Sequence, residues 1–385
     1  MFCCCMLYIS KLGVRVLYEI EIREESVREH GLPRMNTNNQ KTFLALARAG
    51  LWEKDVELRE FWPTDFDEIM RLAEEQNVVG LVTAGLEHVQ DVKVPQEVLL
   101  QFIGQTLQLE QQNKAMNEFI VKLIDRMRGA DIYALLVKGQ GIAQCYEKPL
   151  WRVSGDVDLL LSDSNYKKAK EFLLPLASVH KLDERYSKHL GMNIDQWYVE
   201  IHGTLRTGLS ARIDREVDAV QRDAFYGGNV RSWNNHGVLI FMPAPNEDVF
   251  FVFTDFIMHF YKEGMNIRQI CDWCRLLWKY RDKINVNLLE TRLKRARLLG
   301  EWKAFATLAV DYLGMPVEAM PFYGVRSKKD EVRGKKLVEF IQSGYTGSVV
   351  RDTWQIAKIF PWKAILYSPS IFLNVNWLKI KERLC

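Results

Sequence analysis

The sequence predicts an α+β protein in which a small mixed β-sheet is flanked by N- and C-terminal helical units. Three observations support this fold class. Apolar side chains recur at helical spacing in residues 36–129, short apolar runs typical of buried strands occur in residues 130–245, and helical patterns return in residues 246–385. The chain of 385 residues is long enough for several packed units, and no low-complexity linker divides it.

The N-terminal helical unit spans residues 36–129. Its predicted helices lie at residues 42–49, 65–76 and 95–128. A glycine ends the first helix, acidic residues begin the second, and a proline opens the third, as is typical of helix ends.

Residues 1–35 are interpreted as an N-terminal extension, of which residues 1–34 are expected to precede the native start of the chain. Met35 opens a polar segment that leads directly into the first helical pattern, so we expect the native chain to start there. The alternative is that the three consecutive cysteines at residues 3–5 are acylated and anchor the chain to a membrane.

The mixed unit spans residues 130–245 and is predicted to carry the sheet. Its predicted strands lie at residues 133–137, 156–161, 196–202 and 238–242, and its predicted helices at residues 139–146 and 166–174. The first of these helices is entered through glycines, and Pro175 closes the second.

The C-terminal unit, residues 246–385, is predicted to be helical. Its helices are expected at residues 246–261, 268–280 and 288–313, the last range holding one or two, with a weaker helix from 331 and an aromatic stretch at 360–377. Cys271 and Cys274 have the spacing of a zinc or redox motif, but no second cysteine pair accompanies them. We therefore interpret them as two core cysteines on one helix.

Composition excludes several classes of function. The 52 basic and 49 acidic residues leave a net charge of +3, so we expect no nucleic-acid partner. No apolar run approaches the roughly 18 residues of a membrane-spanning helix, so no membrane partner is expected. The scattered cysteines suggest no disulfide framework, and we expect a cytoplasmic protein.

Two aspartates in one predicted strand are the first candidate site residues. Asp156 and Asp158 are separated by one valine, so they project from the same face, about 6–7 Å apart along the strand. Their charges repel unless a cation lies between them. Glu200 stands inside a later apolar strand, where a lone carboxylate is costly without a cation or a donor. If the two strands are neighbours, three carboxylates converge on a divalent metal.

A glycine turn precedes the aspartates. Lys138 ends the first predicted strand, and Gly139 and Gly141 begin the following helix. Backbone N–H groups at such a turn suit a phosphate.

These motifs resemble a known group of enzymes. A strand, a glycine turn and a helix, followed by the Asp156–Asp158 pair and a later strand with Glu200, resemble the nucleotidyltransferase fold of the DNA polymerase β superfamily. The chain resembles the uncharacterised nucleotidyltransferase family of bacteria more closely. This closer resemblance lies in the segments around Lys138–Gly139, Arg152 to Leu160, Val199 to His202 and His259 to Trp273. This resemblance covers about residues 60–300.

The resemblance implies a role for each candidate residue. Asp156, Asp158 and Glu200 would be the catalytic metal ligands, with Glu200 also the candidate base. The remaining candidates would contact the nucleotide: Lys138, Gly139, Gln140, Arg152, His202, His259 and Arg268. The implied reaction is transfer of NMP from an NTP such as ATP to an unknown acceptor, with one or two Mg²⁺ ions and release of pyrophosphate.

Two other functions remain open from the sequence. The chain is also compatible with a non-catalytic protein that kept the fold to bind a nucleotide or a partner. A toxin- or antitoxin-type nucleotidyltransferase acting on protein or tRNA is the third hypothesis. The position of Glu200 discriminates the first of these alternatives, because a catalytic site needs it beside the two aspartates.

Overall fold

The computed structural model describes residues 37–182, 188–262, 264–342 and 349–367. The expectations for the N-terminal extension at residues 1–35 and for the end of the aromatic stretch beyond residue 367 lie outside these ranges. The architecture is α+β, with a small mixed sheet between helical layers, so the fold class predicted from the sequence is confirmed.

Four helices form the N-terminal part of the described chain. They are α1 (Thr37–Trp52), α2 (Phe66–Glu75), α3 (Val79–Glu87) and α4 (Gln96–Gly129). Asp65 caps α2, since its carboxylate accepts hydrogen bonds from the backbone of Asp67 and Glu68 at 3.1 and 3.2 Å. Helix α3 was not predicted. It is buried on almost every side, and therefore carries no amphipathic pattern that the sequence could display.

A five-stranded sheet follows. Its strands are β1 (Ala134–Val137), β2 (Asp156–Leu161), β3 (Val179–Leu182), β4 (His189–Ile194) and β5 (Trp197–His202). The spatial order is β1-β2-β5-β4-β3, with β2 and β5 parallel and every other pair antiparallel. Strands β3 and β4 were not predicted, and β4 is the neighbour that extends the sheet beyond β5.

Further elements surround this sheet. They are the hairpin of β6 (Val230–Asn235) and β7 (Val238–Pro243) and the helices α5 (Gly139–Ala143), α6 (Asp163–Leu173) and α7 (Ala211–Tyr226). Strand β6 and helix α7 were not predicted. Ser210 caps α7 by accepting a hydrogen bond from the backbone N–H of Ile213 at 3.3 Å.

The C-terminal helices pack around a core of aromatic side chains. They are α8 (Pro245–Lys262), α9 (Ile267–Tyr280), α10 (Val286–Ala296), α11 (Leu299–Thr307), α12 (Lys328–Gln342), α13 (Val349–Ile359) and α14 (Pro361–Tyr367). The ring of Trp302 lies 4.7 Å from Phe253 and 4.7 Å from Trp273, centroid to centroid, and all three are fully buried. Cys271 and Cys274 are buried thiols on α9, as their helical context predicts.

One cluster of buried side chains spans all three units predicted from the sequence. It includes Leu46 from α1, Leu135 from β1 and Phe253 from α8. The unit boundaries at residues 129 and 245 therefore stay a prediction. Among the described helices, none combines the length and the apolar character needed to cross a bilayer.

A close helix contact supports the loop that precedes β2. A Cβ atom added to Gly80 of α3 would lie 2.0 Å from the carbonyl oxygen of Trp151. Asn113 of α4 holds the same loop, because its amide donates to the carbonyl oxygens of Leu150 and Arg152 at 2.7 and 2.8 Å. Two helices of the N-terminal unit thus fix the backbone that carries Arg152.

Substitution of Gly80 should show that the loop before β2 depends on its contact with α3. Gly80→Ala forces the loop at Trp151 to move, and we expect it to lower the free energy of unfolding by about 1–3 kcal/mol. The control is Gly104→Ala, at an exposed position of α4 where an added Cβ meets nothing within 4 Å. That variant should gain about 0.5–1 kcal/mol because alanine favours the helix. Equal thermal unfolding midpoints for the two variants would contradict the contact.

Candidate metal and nucleotide site

Two parallel strands bring the predicted carboxylates together. In the register between β2 and β5, Asp158 lies opposite Glu200. Asp156 shares a face with Asp158 because side chains two residues apart in a strand point the same way. One carboxylate oxygen from each of the three residues lies within 4.8 Å of the others. The carboxylates of Asp156, Asp158 and Glu200 are called the acidic triad below.

The opposite face of β2 explains why the acids point into a cleft. Val157, Leu159 and Leu161 are buried in a cluster that also contains Met116 and Ile120 of α4. Burial of these apolar side chains fixes which face of the strand meets the helices. The alternate positions, Asp156 and Asp158, must then face the other way.

The acidic triad is electrostatically unfavourable by itself. The neighbouring charge of Asp158, together with burial, raises the pKa of Asp156 to about 6. Burial opposes the charge of Asp158 as well, but Lys138 and His202 outweigh it and hold the pKa of Asp158 below its ordinary value. Oxygen ligands crowded in this way fit a hard divalent cation such as Mg²⁺.

Lys138 lies at the turn between β1 and α5. Its backbone φ is 55° and that of Gly139 is 39°, so the chain turns sharply through a left-handed conformation. The Lys138 ammonium nitrogen lies 2.9 Å from Oδ1 of Asp255 and 4.0 Å from Oδ1 of Asp158. Burial opposes the charge of Lys138, but Asp255 and Asp158 outweigh this effect and raise its pKa.

A buried ion pair joins the loop before β2 to helix α9. Arg152 donates to Asp272 from Nε at 2.9 Å and from Nη2 at 2.7 Å, and both residues are 4% exposed. Tyr146 also donates to Asp272, at 2.8 Å. Asp272 is thus the main partner of Arg152.

Arg268 is a second guanidinium beside the same carboxylate. Its Nη1 lies 3.8 Å from Oδ2 of Asp272, and its buried Nε has no hydrogen-bond partner among the described residues. Burial and the nearby charge of Arg152 lower the pKa of Arg268. Two arginines therefore share one carboxylate, which leaves positive charge available to an anion.

A cavity of about 280 Å³ collects most of the predicted site residues. Seven of the ten line it: Lys138, Gly139, Arg152, Asp156, Asp158, His259 and Arg268. Glu200 and His202 lie beside it on the same face of the sheet. Two larger cavities, of about 730 and 650 Å³, are lined by other residues and contain none of the acidic triad.

Gln140 is the predicted residue that the structure does not bring to the cavity. Its side chain is 1% exposed, and its amide donates to Oδ1 of Asn113 in α4 at 2.7 Å. Burial against α4 directs it away from the cleft.

His202 contacts the acidic triad directly. Its Nε2 lies 2.8 Å from Oδ1 of Asp158 and 3.5 Å from Oε2 of Glu200. His202 and Glu200 share one face of the sheet because they are two residues apart on β5.

Several residues at the site were not predicted. Asp255 on α8 binds Lys138, and His189 on β4 lies 3.1 Å from Oε2 of Glu200 through its Nε2. The Tyr198 ring crosses Gly191, where a Cβ would lie 2.0 Å from the tyrosine oxygen. Burial and the carboxylate of Glu200 raise the pKa of Tyr198. Strand alternation from Glu200 could have found Tyr198, whereas His189 and Gly191 lie on a strand that was not predicted.

A known protein family matches this sequence. The family model described as "Uncharacterised nucleotidyltransferase" matches residues 63–314, which is more than half of the chain. The crystal structure of an antigenic nucleotidyltransferase-like protein from Paracoccidioides brasiliensis is similar over 52% of this chain and 93% of that chain, with 12% sequence identity and a TM-score of 0.31. No curated protein matches the sequence. The extent of the family match shows that the chain belongs to the uncharacterised nucleotidyltransferase family.

Proposed function

We propose that this protein is a Mg²⁺-dependent nucleotidyltransferase that moves NMP from an NTP to an acceptor and releases pyrophosphate. The convergence of Asp156, Asp158 and Glu200 within 4.8 Å carries the proposal. This is the condition that discriminates a catalytic site from a nucleotide-binding protein that has lost its activity. Membership in a nucleotidyltransferase family supports the same reaction class.

The acidic triad is the proposed Mg²⁺ site. Its donors are all carboxylate oxygens, and the raised pKa of Asp156 reflects a repulsion that a cation would relieve. When bound there, Mg²⁺ would polarise the α-phosphate and neutralise charge on the departing pyrophosphate. His202 adjoins this site, since its Nε2 lies 2.8 Å from Oδ1 of Asp158.

Basic side chains that line the same cavity are the proposed triphosphate ligands. Arg268 has a buried Nε without a hydrogen-bond partner among the described residues and faces the same cavity as Asp156. Lys138 contacts the carboxylate of Asp255, and it can replace this contact by one with a phosphate oxygen. Arg152 is held by Asp272 and contributes positive charge in a fixed position.

The transfer itself forms one bond and breaks one. An acceptor oxygen bonds to the α-phosphorus while the bond from that phosphorus to the β-phosphate oxygen breaks. The pyrophosphate leaves with the electron pair. The acceptor proton passes to a carboxylate, for which Glu200 is the proposed base.

Nucleotide binding gives the first test. We expect an NTP with Mg²⁺ to raise the thermal unfolding midpoint of the wild-type protein by several degrees, since ligand at 100 times its Kd adds about 2.7 kcal/mol of stability. Asp156→Asn and Asp158→Asn should each lose most of this shift because the metal loses a charged ligand. The matched control is Asp163→Asn, at an exposed acid that binds Lys188 at the far end of β2. A wild-type protein that shows no Mg²⁺-dependent shift would refute the proposal.

The position of a label in the NTP distinguishes nucleotidyl transfer from nucleotide binding. With cell extract as the source of acceptor, an NTP labelled at the α-phosphate should produce a labelled adduct, and the same adduct should carry no label when the NTP is labelled at the γ-phosphate. Asp158→Asn should form no adduct. Nucleotide binding in the wild type without any α-labelled product, across the four NTPs, would favour the non-catalytic alternative.

The stability of the metal-free protein should depend on pH through Asp156. Its pKa is about 6 in the folded state and near 3.8 when unfolded, so ionisation weakens the fold as the pH rises through this interval. Asp156→Asn removes that cost, and above pH 6 it should be more stable than wild type, by on the order of 2 kcal/mol.

Denaturant unfolding in EDTA at several pH values measures this difference. The gap between Asp156→Asn and wild type should close near pH 4, where the carboxyl group is largely protonated. Asp163→Asn should show no such closing gap. A stability difference that is independent of pH would show that Asp156 does not experience the charge of Asp158.

A further inference from the structure

A second group of metal-ligating side chains adjoins the acidic triad. Strands β4 and β5 pair so that His189 lies opposite His202. Both rings lie on the face that carries Glu200, and they stack with centroids 4.5 Å apart and an interplanar angle of 15°. One ligand atom from each of His189, Glu200 and His202 lies within 4.8 Å of the other two.

The spacing of these atoms matches a metal coordination shell. Nε2 of His189 lies 3.1 Å from Oε2 of Glu200, and Nε2 of His202 lies 3.5 Å from the same oxygen. In a tetrahedral site with metal–ligand bonds of 2.0–2.1 Å, neighbouring ligand atoms are about 3.3 Å apart. The two distances in the structure bracket this value.

The donor set selects a different class of ion from the acidic triad. Imidazole nitrogen suits zinc and other transition metals, whereas Mg²⁺ prefers oxygen ligands. Two histidines and one carboxylate are also a typical ligand set of catalytic zinc sites, which keep a further position for water or substrate.

We propose that His189, His202 and Glu200 bind a transition-metal ion of the zinc class, adjacent to the Mg²⁺ site and sharing Glu200 with it. The protein would then hold two cations with different ligand sets, one bound by oxygen and one mainly by nitrogen. The consequence for catalysis rests on the proposed function, but metal binding itself is measured without nucleotide and can fail or succeed independently.

A simpler role for the two histidines is hydrogen bonding to the carboxylates. His202 lies 2.8 Å from Oδ1 of Asp158, and His189 lies 3.1 Å from Glu200, distances that an N–H donor also adopts. Both Nε2 atoms also lie within 3.5 Å of one oxygen of Glu200, and this convergence favours the metal. Direct titration with a metal separates the two roles.

Co²⁺ is the probe, because its visible absorption reports ligand number and ligand type. Titration of the metal-free full-length protein should produce the intense bands of four-coordinate Co²⁺ and saturate at one equivalent. Excess Mg²⁺ should not remove these bands. In His189→Gln the affinity should fall at least 10-fold, since loss of even an outer-shell partner costs roughly 10- to 100-fold. Absent bands in the wild type, or bands unchanged in His189→Gln, would overturn the proposal.

Two controls locate the ion. Asp156→Asn should keep the Co²⁺ bands while losing Mg²⁺-dependent nucleotide binding; if the bands disappear, Co²⁺ occupies the acidic triad and the proposal fails. His88→Gln removes a histidine that lies 2.9 Å from Glu53, away from the site, and should keep the bands. Circular dichroism and the unfolding midpoint of His189→Gln establish that its loss of Co²⁺ affinity occurs in a folded protein.

Discussion

The parallel pairing of β2 with β5 is the constraint on which the site depends. This register sets Glu200 directly beside Asp158, and strand alternation adds Asp156 to the same face. Three carboxylates in such proximity repel one another, and Lys138 and His202 offset only part of this repulsion, as the raised pKa of Asp156 indicates. The apolar face of β2 maintains the arrangement because its valine and leucines are buried against α4. Packing on the opposite side of the sheet thus keeps the three carboxylates close together despite their repulsion.

The positive charges around the cavity come from outside the sheet and are held by the helices. Asp255 of α8 fixes Lys138, and Asp272 of α9 fixes Arg152 through two hydrogen bonds. Arg152 in turn lies on a loop supported by Gly80 and Asn113 from the N-terminal helices. Removal of one partner of a buried ion pair leaves the other charge unpaired and destabilises the fold. This network therefore makes the geometry of the cavity depend on all three parts of the chain. That dependence agrees with the single apolar cluster that the three parts share.

The sequence predicted the fold class and most of the site because the relevant signals are local. These signals are visible within a few positions of the sequence. They are the spacing of the two aspartates in β2, the acids flanked by apolar residues and the capped amphipathic helices. Helix α3 was missed because burial on nearly all sides removes its periodicity. Strand β4 was missed because its sequence contains Gly191 and polar residues, which are uncommon in strands. Because β4 was not predicted, His189 was not placed in the sheet, and the histidine pair beside Glu200 was not anticipated.

The sequence by itself determined which residues can carry charge chemistry and which strand face bears them, because side-chain direction follows from backbone periodicity. Only the tertiary structure decided which distant groups meet. The partners of Lys138 and Arg152 are Asp255 and Asp272, each more than 100 positions away in the chain, and the burial of Gln140 against α4 depends on helix packing. Contacts of this kind follow from the way helices and strands fill a common core, and no local pattern of residues encodes them.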